Sequence, residues 1–195
     1  SSPTRIIYSQ KGVPEQFEAF SFFDVGNTSG GHITQLYPYY NNLLVFRRNA
    51  IEIVRRDGQG LPTISTLASN LGTEAGNAIC NVPNMGVMFL NEEGIWLISG
   101  GLDGGSQVTI TKISETVDKE ITRINKAAIQ RSWACYSKKE REAWFHFPKD
   151  SASIPTRGIV YHVDNQQFST RGADATNNDN LFRFTTAAQD PEGHF

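Results

Sequence analysis

Cysteine is scarce: the 195 residues hold two, Cys80 and Cys135, far apart and each inside an apolar run. No disulfide framework is suggested, and two buried free thiols made in a reducing compartment are the expectation. The four histidines, His32, His146, His162 and His194, never fall into a metal-ligand spacing, and neither cysteine stands beside one. No metal and no cofactor is expected. The two strand histidines, His146 and His162, read as outward-facing positions. There is no G-x-S-x-G elbow. The glycine-rich residues 100–105 lack the lysine of a phosphate loop, and Asp103 has too few acidic neighbours for a calcium loop. No run of eighteen apolar residues occurs, so no helical membrane span is expected. A basic excess is also missing: 18 Lys and Arg stand against 20 Asp and Glu, a net charge of −2. That argues against a dedicated nucleic-acid binder but leaves room for a local basic patch. The opening SSPTRIIYSQ has neither an initiator Met nor a charged-then-apolar signal pattern, which suggests a processed or excised segment.

What is present is a chain able to build a core. It is 38% hydrophobic and 11% aromatic, ordinary for a globular protein. The apolar residues come in short aromatic and β-branched runs, at 6–8, 20–23, 43–46, 51–54, 87–90, 95–98, 108–110, 143–147 and 158–163. Bounded by Gly, Asn, Asp and Pro, such runs read as strands. Three hairpins follow: 43–46 with 51–54, 86–90 with 95–98, and 133–136 with 143–147. Gly94 is expected to supply a left-handed turn residue in the second. From Ser114 to Ala128, Val117, Ile121, Ile124 and Ala128 fall at spacings of four, three and four, which predicts an amphipathic helix of about three turns capped by Ser114 or Thr116. Residues 1–171 read as one β domain and 172–195 as a polar tail, a loop with a last strand at Leu181 to Phe184.

A weak repeat orders these strands. Val45-Phe46 matches Met88-Phe89, 43 residues on, and Ile51-Glu52-Ile53 matches Ile95-Trp96-Leu97, 44 residues on. A Phe recurs as Phe145, 56 residues after Phe89. Such a period, with several strands per unit, is the spacing of propeller blades, and about 45 residues per blade allows roughly four blades. The fold class is therefore all-β and propeller-like, of about four blades or a partial propeller, favoured over a sandwich.

Few residues offer chemistry. Glu92 and Glu93 are an adjacent carboxylate pair of the kind a glycosidase needs, but they read as a solvated turn. Two arginine doublets, Arg47-Arg48 in a turn and Arg55-Arg56 at a strand exit, make one hairpin basic at both ends. They are candidates for contact with DNA phosphates or an acidic partner, weighed against plain solvated turns. Tyr37, Tyr39 and Tyr40 form an aromatic cluster for glycan or subunit contact.

Certain segments resemble a known family. Pro3-Thr4-Arg5-Ile6-Ile7-Tyr8-Ser9, then Gly12-Val13-Pro14-Glu15-Gln16-Phe17, resembles a strand followed by Tyr-Ser and Gly-x-Pro-Glu-x-Phe. Residues 43–54 (LLVFRRNAIEIV), 76–100, 133–147, 158–163 and Phe168-Ser169 resemble the elements that follow it. The family is the propeller-containing tail nozzle, or tail tubular protein B, of short-tailed phages, with its related packaged-DNA plugs. The likeness covers about residues 3–171, and family members are much longer, so the chain would be one portion. The resemblance implies a non-enzymatic structural protein in the virion tail, made in the host cytoplasm. It implies a hexameric ring, portal-adaptor and other tail proteins as partners, transient contact with double-stranded DNA, and no membrane insertion. A carbohydrate-binding propeller is the alternative, and a propeller glycosidase the third reading.

Overall fold

The computed structural model describes residues 4–10, 12–100 and 108–171. The chain divides into two compact units, Ser1–Gly72 and Thr73–Phe195, a boundary without a counterpart in the composition. The expected tail at 172–195, its strand included, and most of the glycine-rich loop lie outside the described residues.

In the first unit, β1 (Arg5–Ile7) and β2 (Phe22–Asp24) form a two-stranded antiparallel sheet. Next, β3 (Ile33–Tyr39), β4 (Asn42–Arg47), β5 (Ile51–Arg56) and β6 (Pro62–Ala68) form a four-stranded antiparallel meander. The second unit holds two more meanders. One comprises β7 (Ile79–Val82), β8 (Gly86–Asn91), β9 (Gly94–Ser99) and β10 (Thr109–Lys112). The other comprises β11 (Trp133–Ser137), β12 (Glu142–Phe147), β13 (Arg157–His162) and β14 (Gln167–Arg171). The fold is all-β and propeller-like, each four-stranded sheet running in chain order.

The sequence repeat is now physical. Phe46, Phe89 and Phe145 each lie on the second strand of a four-stranded sheet, and each is fully buried. All three expected hairpins form, with Leu43 opposite Val54, Asn91 opposite Gly94, and Trp133 opposite His146. At their four central positions β4 and β8 are apolar on both alternating faces, and every residue of β8 is buried. Fourth strands are open: β6, β10 and β14 hold no fully buried residue. In the second unit the two meanders share one core. Cys80, Val82, Met88, Leu90 and Ile95 from one pack with Ala143, Phe145, Phe147, Ile159 and Tyr161 from the other. Their first strands lie side by side, tied by the amide of Ala134 donating to the Asn77 carbonyl at 3.0 Å. The first unit has a smaller core of Ile6, Val25, Val45 and Val54.

Two expectations need correction. The helix is shorter than its periodicity suggests: a 3-10 turn at Glu115–Val117, a single α turn, α1 (Asp118–Ile121), and a separate 3-10 segment at Lys126–Arg131. Thr116, Val117, Ile121, Thr122 and Ile124 are β-branched and favour the helix weakly. Ile124 bridges to Lys149, and Asn125 donates its amide to the Pro148 carbonyl at 2.9 Å, so the chain is extended where the helix should continue. The apolar positions are buried as the spacing implies, at Ile121, Ile124 and Ala128. Neither proposed cap acts. Ser114 accepts from the Ile95 amide at 3.0 Å, and Thr116 lies inside the 3-10 turn.

Gly94 is the second correction, since it has no left-handed backbone. The turn is built by Asn91, whose Oδ1 accepts from the amides of Glu93 at 2.9 Å and Gly94 at 3.0 Å and from Trp96 Nε1 at 2.9 Å. Glycine is required there for space: a Cβ would lie 2.6 Å from both Lys112 Cε and Ser114 Oγ.

Gly86, where β8 begins, is the position least able to accept a side chain. Its φ is 135°, and a Cβ would lie 2.0 Å from the Ile98 carbonyl oxygen. Gly86→Ala should therefore destabilise the fold by roughly 2 kcal/mol or more in urea unfolding. Gly58→Ala, where nothing lies within 4 Å, should leave the midpoint nearly unchanged.

Candidate functional site

The alternation of β4 and β5 separates the four arginines. Residues 42, 44 and 46 share one face with 51, 53 and 55, and residues 43, 45 and 47 share the other with 52, 54 and 56. Arg47 and Arg56 thus share a face at opposite ends of the sheet, while Arg55 lies on the face of Tyr37 and Tyr39.

Arg47 is not a surface residue. It is 1% exposed, and its Nη1 meets Glu52 Oε1 at 2.9 Å. Its Nε and Nη2 donate to the Gly31 carbonyl at 3.0 and 2.8 Å, and Nη2 also donates to the Asn27 carbonyl. The reading of Arg47 as a DNA or partner contact is corrected accordingly, for its donors are spent inside the fold. Small loop residues make this room. A Cβ on Gly26 would lie 2.2 Å from Arg47 Nη1, and one on Gly30 would lie 2.6 Å from the same atom. Arg48 and Arg56 remain exposed. Arg55 is half-buried, and its Nε has no hydrogen-bond partner among the described residues.

The tyrosines also divide. Tyr39 is buried and Tyr37 half-buried, whereas Tyr40, at a φ of 51°, is 82% exposed. The Tyr39 and Tyr40 rings meet edge to face at 4.6 Å, so one buried ring props one open ring. Glu92 pairs with Lys126 at 3.2 Å and Glu93 is exposed, so the carboxylate pair of a glycosidase is not assembled at this turn.

A second polar surface is one that the sequence reading missed. The sheet β11–β14 turns Ala143, Phe145, Ile159 and Tyr161 to the core, so Glu142, Trp144, His146, Val160, His162, Ser169 and Arg171 share the opposite face. Glu142 stands directly opposite His162, and Oε1 meets Nδ1 at 3.0 Å. His162 Nε2 lies 2.8 Å from Ser169 Oγ, diagonally across the next pair of strands. Glu142 Oε2 accepts from Trp144 Nε1 at 2.8 Å and lies 3.6 Å from Arg171 Nη2, whose guanidinium sits over the Trp144 ring at 4.4 Å. The carboxylate is almost covered, at 10% side-chain exposure, while His162 is 32% exposed.

His146 lies on the face turned from the core, as alternation implies, yet it is buried. Its ring stacks on Trp133 at 4.2 Å and 8°, and Gly158 stands opposite it without a side chain. Nε2 is buried with no hydrogen-bond partner among the described residues. Burial pulls the imidazole pKa down to about 4, and the nearby Arg171 adds to the shift. The thiols are quiet: burial pushes Cys135 up to about 12 and raises Cys80 as well, so neither is a thiolate nucleophile near neutral pH. Cys80 is buried as expected, but Cys135 only in part. Among the described residues no group of three His, Cys, Asp or Glu side chains could hold a metal ion.

Two stability tests follow. Glu52→Gln leaves the Arg47 charge buried and uncompensated, and should cost about 3–5 kcal/mol in urea unfolding. Replacing both partners, Arg47→Met with Glu52→Leu, should recover most of that loss, and Arg56→Ala should fall within about 0.5 kcal/mol of wild type. For His146, the unfolded chain binds a proton at higher pH than the folded one does. Stability should therefore fall as pH drops from about 6.5 towards about 4, by roughly 3 kcal/mol, and level off below. His146→Phe should remove that part of the pH dependence in unfolding measured at pH steps across this window.

No protein-family model matches the chain, and no curated protein matches it either.

Proposed function

We propose that this chain is a structural portion of a β-propeller tail protein of a short-tailed phage, a component of the nozzle or head-to-tail channel that guides or retains packaged DNA. The observation that carries the reading is the series of three four-stranded meanders, each with a fully buried Phe on its second strand. Segments that resemble the family fall on these strands: residues 43–54 on β4 and β5, 76–100 on β7 to β9, 133–147 on β11 and β12, and 158–163 on β13.

The chemistry of the arginine hairpin favours a scaffold. Arg47, held inside the fold by Glu52, Gly31 and Asn27, works as an internal strut, while Arg56 is exposed for phosphate or partner contact. A net charge of −2 suits a channel wall, because many fixed phosphate contacts would hold the duplex back during ejection. The partners of this reading are the portal-adaptor and other tail proteins, with copies of the chain arranged in a ring.

Immunogold electron microscopy tests it, using antibody raised against this chain on virions of the phage that encodes it. Gold at the tail is the expected result, and its distance from the head separates a distal nozzle from a portal-proximal plug. Absence of label on intact and on osmotically opened particles, with the epitope verified on denatured virions, would overturn the reading. Carbohydrate binding through the exposed Tyr40 would then be tested on a glycan array.

A further inference from the structure

We propose that Ser169, His162 and Glu142 form an acyl-transfer relay that hydrolyses small activated carboxylic esters. Nucleophilic catalysis by serine needs a hydroxyl within hydrogen-bond reach of a base, and a third group that orients the base. The outer face of the last sheet supplies this arrangement. Ser169 Oγ lies 2.8 Å from His162 Nε2, and His162 Nδ1 lies 3.0 Å from Glu142 Oε1. With the carboxylate accepting from Nδ1–H, the tautomer leaves Nε2 free to accept the serine proton.

Exposure runs in the order the chemistry requires. Glu142 is nearly covered and is pinned on its other oxygen by Trp144 Nε1 at 2.8 Å. His162 and Ser169 are half-open, so a small substrate can reach them. The three residues come from three adjacent strands whose register is fixed by continuous pairing, Glu142 opposite His162 and Val160 opposite Ser169. A site on strands is held more tightly than one on loops. Arg171, 51% exposed on the same face, lies 3.6 Å from Glu142 Oε2 and adds positive charge on the carboxylate side of the relay.

The step balances with water as co-reactant. Ser169 Oγ bonds to the carbonyl carbon, and its proton passes to His162 Nε2. The ester C–O bond breaks, and the leaving oxygen takes that proton from Nε2. Water then attacks the acyl-serine, gives a proton to Nε2, and the released serine oxygen recovers it, so ester plus water become acid plus alcohol. Ser169 and His162 are the catalytic residues, and Glu142 is a positioning residue.

The purified full chain is incubated with p-nitrophenyl acetate, and separately with a fluorophosphonate probe whose site of attachment is mapped by mass spectrometry. The relay predicts attachment at Ser169 and release of p-nitrophenol that falls about 100-fold in Ser169→Ala, with an unchanged far-ultraviolet circular dichroism spectrum. Glu142→Gln should lower kcat more than it changes KM and alter the ascending limb of the pH profile, which loss of a merely structural hydrogen bond would not do. Probe attachment elsewhere, no attachment, or turnover equal in wild type and Ser169→Ala would overturn the proposal. The wild-type attachment site needs no variant to fold. Ester hydrolysis by the isolated chain does not bear on location in a virion, so this inference and the structural reading stand or fall separately.

Discussion

The first unit depends on a charge that it has taken out of water. Arg47 and Glu52 face each other across the turn that joins β4 to β5, both about 1% exposed. Burying two ions costs several kcal/mol each, and their attraction repays it only when the remaining donors are also satisfied. The loop before β3 does that for Arg47, offering the carbonyls of Asn27 and Gly31. It can come so close because residues 26 and 30 carry no side chain to fill the space the guanidinium occupies. A hairpin turn, a glycine-rich loop and a strand carboxylate are thus fixed by one guanidinium, which makes it a device of registry more than of stability. Glu52 Oε2 is buried without a hydrogen-bond partner among the described residues, so the pair is not fully compensated, and its specificity has a cost.

What the sequence could disclose followed from burial on two faces. Strands covered on both sides carry unbroken apolar runs, and such runs are conspicuous. The hairpins at 43–54 and 86–98 were legible for this reason; that at 133–147 and the recurrence of Phe46, Phe89 and Phe145 were legible from their aromatic residues. The helix at 114–128 was only half legible. Periodicity reports which residues are buried, and Ile121, Ile124 and Ala128 are. It does not report that the backbone at Ile124 and Asn125 finds better partners at Lys149 and Pro148 than within a helix.

The candidate sites were hardest to read because they are properties of register. Adjacent arginines in a strand belong to opposite faces, so Arg55 and Arg56 cannot form one patch, though they touch in sequence. Conversely, Glu142, His162 and Ser169 are 20 and 7 residues apart and meet only because two hairpins set their offsets. The signal that could have found them is alternation: in β12, Glu142, Trp144 and His146 alternate with Ala143, Phe145 and Phe147, so the polar and amphipathic side chains share one face.

That alternation also separates the last sheet from the two before it. β4 and β8 are apolar at their four central positions, whereas β12 puts carboxylate, indole and imidazole on the face turned away from its core. The face is closed by its own side chains: Trp133 covers His146, and Arg171 covers Trp144. The polar groups of this face satisfy one another, in hydrogen-bonded chains such as Trp144–Glu142–His162–Ser169. The same arrangement that pairs these polar groups aligns a hydroxyl, an imidazole and a carboxylate, so a reactive geometry arises here as a consequence of strand register.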